Sequence, residues 1–148
     1  MAMGLLIECF ILGFLHSIRG VREFKVGAAI LVIFGFGVLL VGAFHTDPTG
    51  GPSTLEGTIH GIVAALIFLL LPIACLLIAP TLKKEPYWKD LYVYTIIASI
   101  FALALAIARI WLPTELSWSG LYERILAFDE FIWIEIVAIR LKDISPRA

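Results

Sequence analysis

The chain has 148 residues, of which 61% are hydrophobic and 16% charged, with a mean hydropathy of +1.00; this composition excludes a soluble globular domain and calls for lipid as solvent. Eleven basic against twelve acidic residues leave a formal net charge of -1, without the basic excess of a nucleic-acid binder, so the lipid bilayer is an expected partner and nucleic acid is not. The length fits a single domain, and no linker, low-complexity stretch or repeat divides it.

A spanning helix needs about 20 mostly apolar residues, each adding about 1.5 Å against a hydrocarbon core about 30 Å thick. On that measure the sequence predicts an all-α polytopic transmembrane bundle of five spans. The first, about 3–18, is short and carries Glu8. With no basic residue ahead of it, it reads as a retained helix and not a cleaved signal. The second span, about 26–44, follows Arg19, Arg22 and Lys25 and ends at Asp47-Pro48, a turn in which Asp47 can cap local amides. Ser53 and Glu56 have capping-box spacing for the third span, about 57–79. Lys83, Lys84 and Lys89 come next. Tyr87, Trp88 and Tyr92 mark the edge of the fourth span, about 91–112, while Trp111, Trp118 and Tyr122 surround the loop before the last, about 121–141. Arg140, Lys142 and Arg147 end the chain. Nine of the eleven basic residues thus fall on alternate loops, which predicts an outside N-terminus and a cytoplasmic C-terminus.

Small residues trace helix contacts where no hydrophobic drive operates. Gly57, Gly61 and Ala65 form one four-residue repeat and Ala98, Ala102 and Ala106 another, and both are expected to face inward. Cys9 and Cys75, inside spans, are expected to be apolar packing residues.

Gly42-x-Phe44-x-Thr46-Asp47-Pro48, followed by Thr54-x-x-Gly57-x-x-His60, resembles the prokaryotic membrane-protein family called domain-of-unknown-function family 998. Gly120-Leu121-x-Glu123-Arg124 resembles that family too, and the likeness reaches from about Arg19 to the last span. Two departures are that His45 stands where the family is expected to have Pro, and that an N-terminal span of longer members is expected to be missing. The resemblance implies a multi-pass protein of a prokaryotic cell (plasma) membrane and points to Asp47, His60, Glu123 and Arg124. It implies no reaction.

Charges inside spans are costly unless paired or hydrated. Arg109 and Arg124 lie off the cytoplasmic pattern and should seek Asp47, Glu115 or Glu123, so an outer-leaflet polar cluster of Asp47, His60, Arg109, Glu123 and Arg124 is predicted. It either pins helices together or forms a ligand or proton site. His60 itself reads as an interhelical hydrogen-bond donor, a proton relay or ligand contact, or a metal ligand. A usual zinc site needs three or four ligands, and His16 and His60 sit near opposite surfaces, unsuited to a paired-histidine haem; no metal or other cofactor is expected. At about 100° per residue the last span carries Glu123 and Glu130, Arg124 and Glu135, and Asp129 and Arg140 on three separate stripes. Glu8 and Glu130 fall near mid-span, where an unpaired carboxyl is expected to hold a proton or to face a water-filled cavity.

Three functions follow. The preferred one is a non-catalytic bundle, an accessory subunit or homo-oligomer whose partners are other membrane subunits or itself, since the loops are short and no soluble domain is present. A second is a membrane-embedded enzyme acting on a lipid or lipophilic substrate, with His60 or Glu123 as acid or base and Arg109 or Arg124 holding an anionic headgroup. The third is a small proton-coupled transporter or channel along Glu8, Glu130 and Glu135.

Overall fold

The structure, a computed structural model, describes residues 2–18, 24–48, 51–111 and 119–144. Among these the protein is all-α. Helix α1 spans Ala2–Ser17, α2 Phe24–Val41, α3 Leu55–Lys84, α4 Tyr92–Trp111 and α5 Ser119–Ile144, with a single 3-10 turn at Lys89–Leu91 leading into α4. By length and composition α2, α3 and the segment Lys89–Trp111 can each cross a membrane, whereas α1 is a shorter apolar helix. Only 33%, 33% and 28% of those three apolar stretches is buried. The rest presents side chains such as Ile62, Ile97 and Ile110 outward, a surface that suits hydrocarbon and would be unsustainable in water.

Neighbouring helices run in opposite directions. Gly4 of α1 lies beside Leu39 of α2 while Gly35 lies beside Glu8 and Ile11; Gly27 of α2 lies beside Ala74 and Ile78 of α3 while Gly37 lies beside Ile67. Arg109 near the end of α4 meets Glu123 near the start of α5, and Thr95 meets Trp133. The start of α1, the Asp47 turn, the end of α4 and the start of α5 therefore share one end of the bundle, called here the Asp47 end. Lys25, Lys83, Lys84, Lys89, Arg140 and Lys142 all belong to the other, the Trp88 end. Arg19, Arg22 and Arg147 of the predicted basic loops lie outside the described residues, as does Trp118.

The tightest seam joins α2 to α3, followed by α3 to α4, and α5 packs most loosely. Glycine explains the first. A Cβ on Gly27 would stand 2.7 Å from Ile78 Cγ1, and one on Gly37 would run into Ile67, so only hydrogen lets these backbones approach. Ala98, Ala102 and Ala106 are buried on α4 as expected. The stripe on α3 is not: Gly61 and Ala65 are exposed, and a Cβ on Gly61 would meet nothing within 4 Å. Its absence of side chain opens space instead of closing a contact.

At the Trp88 end Phe14, fully buried, takes Trp88 and Trp133 edge-on at centroid distances of 5.1 and 6.1 Å. Trp88 is thus a core residue with 1% exposure, not the interfacial anchor expected of it, while Tyr87 is exposed. Arg140 closes this end by donating to the Tyr87 carbonyl and to Asp90, at 2.9 and 3.1 Å. Cys75 is buried in the core, whereas Cys9 lies on the exterior.

Candidate functional site

Between α2 and α3 the chain turns through Asp47-Pro48, and the polar groups there form a clamp. Asp47 Oδ2 accepts from the Thr54 amide at 2.9 Å and its Oδ1 from the Thr54 hydroxyl at 2.6 Å. That same hydroxyl accepts from the Gly57 amide at 3.1 Å, which makes Thr54 the N-cap of α3. Ser53 was expected to open a capping box with Glu56. Instead the helix starts one residue later, Ser53 lies 3.4 Å from the Thr58 hydroxyl, and Glu56 stands 3.6 Å from a wholly exposed His45. Gly57 has a specific reason to be glycine, because a Cβ there would collide with the Asp47 carboxylate. The two hydrogen bonds from Thr54, side chain first, hold the Asp47 carboxyl below its ordinary value.

His60, one turn further, completes the clamp. Its Nδ1 lies 2.8 Å from the Phe44 carbonyl just past α2. A carbonyl oxygen only accepts, so Nδ1 carries the hydrogen and a neutral ring keeps its lone pair on Nε2. Asp47, Thr54, Gly57 and His60 accordingly act together to fasten the end of α2 to the start of α3.

Beside the clamp, α3, α4 and α5 diverge and enclose a cleft of about 730 Å³, within the range that holds small-molecule ligands, roughly 300 to 1,000 Å³. Its apolar wall comes from Gly61, Ala65 and Phe68 of α3, Ala106 and Ile110 of α4, and Leu126 of α5. Its polar rim comes from Asp47, His60, Arg109 and Glu123. Arg109 directs Nε and Nη2 at the same oxygen of Glu123, at 3.2 and 2.9 Å, with the guanidinium side chain 23% and the carboxylate side chain 49% exposed. Tyr122 adds a second α4–α5 tie by donating to the Leu105 carbonyl at 2.7 Å.

The predicted cluster is therefore partly assembled. Asp47, His60, Arg109 and Glu123 border one cleft; Arg109 is ion-paired with Glu123, and Asp47 is committed to Thr54. Arg124 points elsewhere and donates to the Gly120 carbonyl of its own helix at 3.2 Å. Glu115 lies outside the described residues.

Among the mid-span acids, Glu130 is buried at 5% exposure and its Oε1 has no hydrogen-bond partner among the described residues. It lines a small void with Asp129, Cys75, Ser99, Pro72 and Trp133, one helical turn beyond Leu126. Glu8 lies over Gly35 of α2 and is half-buried. Glu135 is exposed on the flank of α5. Among the described residues, no three His, Cys, Asp or Glu side chains gather as metal ligands.

Sequence reasoning missed four participants. Thr54 stands in the quoted Thr-x-x-Gly-x-x-His string, yet its cap was assigned to Ser53. Pro72 was unremarked, although the missing N–H leaves the Phe68 carbonyl without its helical donor. Thr95 and Ser99 were not singled out; they form the buried polar seam in which the Trp133 indole donates to the Thr95 hydroxyl at 3.1 Å and Ser99 to the Thr95 carbonyl at 2.6 Å.

An antiparallel bundle with three helices long and apolar enough to cross a membrane, a lipid-suited exterior and an end-facing cleft has the character of a membrane protein. The family described as "Protein of unknown function (DUF998)" matches residues 1–140, and the chain belongs to it. That match takes in α1, ahead of the segment covered by the motifs. No match was found among curated proteins or among solved structures.

Proposed function

We propose that the protein is a five-span component of a prokaryotic plasma membrane, with its N-terminus outside and its C-terminus cytoplasmic, that binds an amphiphile in the α3–α4–α5 cleft without reacting with it. The orientation rests on six Lys and Arg residues at the Trp88 end against Arg109 and Arg124 at the other, because cytoplasmic loops retain basic residues. The cleft then opens in the outer leaflet. A single observation carries the binding reading: a ligand-sized space has apolar walls below and a polar rim of Asp47, His60 and the Arg109–Glu123 pair, the polarity order of an amphiphile with its chain in the bundle and its headgroup at the rim. The non-catalytic reading follows from the acid–base groups, since Asp47, His60 and Glu123 are each engaged in a bond that holds helices or loops in place.

Native mass spectrometry of the protein extracted from its own membrane tests this reading. The expected result is one retained amphiphile on the wild-type protein and none on Gly61→Phe, a substitution that fills the cleft from a position with free space around it. Equal retention by both proteins, or by neither, overturns it.

One observation favours an additional role as a subunit. Glu135 is exposed on α5 beside Phe128, Phe131, Ile132 and Ile139, all exposed apolar residues. A carboxyl at bilayer depth requires a polar neighbour, which another copy or a partner subunit would supply. Release of a co-purifying chain by Glu135→Leu is the expected signature.

A further inference from the structure

We propose that Glu130 is a proton-binding site that sets the depth of the cleft: protonated, it keeps the α3–α5 seam closed beneath Leu126, and ionised, it draws water past Leu126 and Phe68 into the void below. This inference uses the cleft as a water path and does not depend on any amphiphile occupying it.

The geometry behind it is specific. Glu130 is 95% buried, taking its 5% exposure, and it has an oxygen without a partner. It faces a void of about 10 Å³, at the lower limit for one water, roughly 10 to 15 Å³. No Lys or Arg lines that void, so a charged Glu130 would stand without a counter-ion in the membrane interior, at a cost of several kcal/mol. The neutral acid fits so small a space and the unpaired carboxylate does not. The cleft offers the route for water. Leu126 lies one turn before Glu130 on α5 and forms part of the cleft wall with Phe68, whose carbonyl Pro72 deprives of its helical donor. Water arriving through the cleft would pass that carbonyl on its way to Glu130.

Other titratable groups face the site. Asp129 on α5 and Cys75 on α3 line the void, and Tyr94 on α4 packs against the same core. Glu8 of α1 lies over Gly35 of α2 and is not part of the lining. Cys75, with 2% exposure, is a native reporter of water entry, whereas the exposed Cys9 must be removed to read it.

Two measurements test the proposal. In Cys9→Ala protein, labelling of Cys75 by a small neutral methanethiosulfonate is followed as pH rises from 6 to 10, alongside the same protein carrying Glu130→Gln. At the alkaline end the Glu130 protein is expected to react about tenfold faster than its Gln counterpart; repulsion between a Glu130 carboxylate and a Cys75 thiolate in the same lining acts in the opposite direction, so a faster Glu130 protein reports water entry and not thiol ionisation. In the unmodified protein, dicyclohexylcarbodiimide, which takes its proton from a neutral acid before the carboxylate adds to its central carbon, is expected to modify Glu130 progressively more slowly as pH rises. Equal Cys75 rates with and without Glu130 overturn the proposal. So does a pH-independent or absent Glu130 adduct, and so does protection by sodium, which would make the site one for a metal cation.

Discussion

Small residues border both flanks of α3 and do opposite things. On one flank Gly27 and Gly37 of α2 receive Ile78 and Ile67 of α3, and the helices lock. On the other, α3's own Gly61 and Ala65 line the cleft, with open space around Gly61. A small residue thus signals close packing only when a bulky partner exists at the same level. Where the neighbouring helix diverges, it signals a vacancy. The locked flank also carries the Asp47–Thr54 clamp, which fixes the relative placement of α2 and α3 and leaves α5 as the loosest wall.

The contrast is broken most directly by adding volume on each side. Gly37→Leu drives a side chain into Ile67 and is expected to cost about 1 to 3 kcal/mol, the usual range for overpacking. Gly61→Leu enters open space and is expected to lie within about 0.5 kcal/mol of the wild type, as surface changes do. Thermal unfolding in one detergent checks both, and similar losses at the two positions would remove the distinction between the flanks.

A smaller effect is expected at the clamp. Thr54→Ala removes the hydroxyl that caps α3 and should cost about 1 kcal/mol, typical of N-cap loss. Faster hydrogen exchange at the Gly57 amide, its bonded partner, would locate the loss at the helix start. On the open flank Arg109→Ala should change stability less, by about 0.2 to 1 kcal/mol, because an ion pair whose carboxylate side chain is 49% exposed is screened by solvent. Its effect on amphiphile retention should be much the larger one, the reverse of the Thr54 pattern.

How much of this was legible follows from the same contrast. All five helices lie within a few residues of the predicted spans, since long apolar runs broken by Asp-Pro and by Lys-rich turns leave little freedom. The alternation of basic residues maps onto two ends of the bundle for the same reason. Helix faces were harder to read. The α4 alanines and the Gly57–Gly61–Ala65 stripe share one spacing, and no feature of either string says that α3 and α5 separate. Trp88 matched an interfacial aromatic belt by position, but Phe14, distant in sequence, draws it into the core. Arg109–Glu123 was predictable from depth and charge, while the commitment of Asp47 to Thr54 depends on a loop that brings residues seven positions apart face to face.

The smallest expected effect concerns acid. Thr54 holds the Asp47 carboxyl below its ordinary value of 3.8, so the folded clamp binds its proton less readily than the unfolded chain does. Linkage then places the stabilisation above the unfolded value, where the carboxylate accepts both Thr54 bonds, and removes it as pH falls through the lower, folded one. Between neutrality and about pH 5 the contribution of Asp47 should be constant; below that range the clamp should loosen. Because Asp47 is open to solvent, the change will be slight against the titration of other carboxyls, so the informative quantity is a difference. Melting temperatures of the wild type and Asp47→Asn should run parallel from pH 8 to 5 and converge in stronger acid, where the wild type loses the charge that Asn never had. Curves that stay parallel throughout would mean that the neutral acid clamps α3 as well as the carboxylate does, and would transfer the closure of this flank from the Asp47 charge to the His60 bond on Phe44.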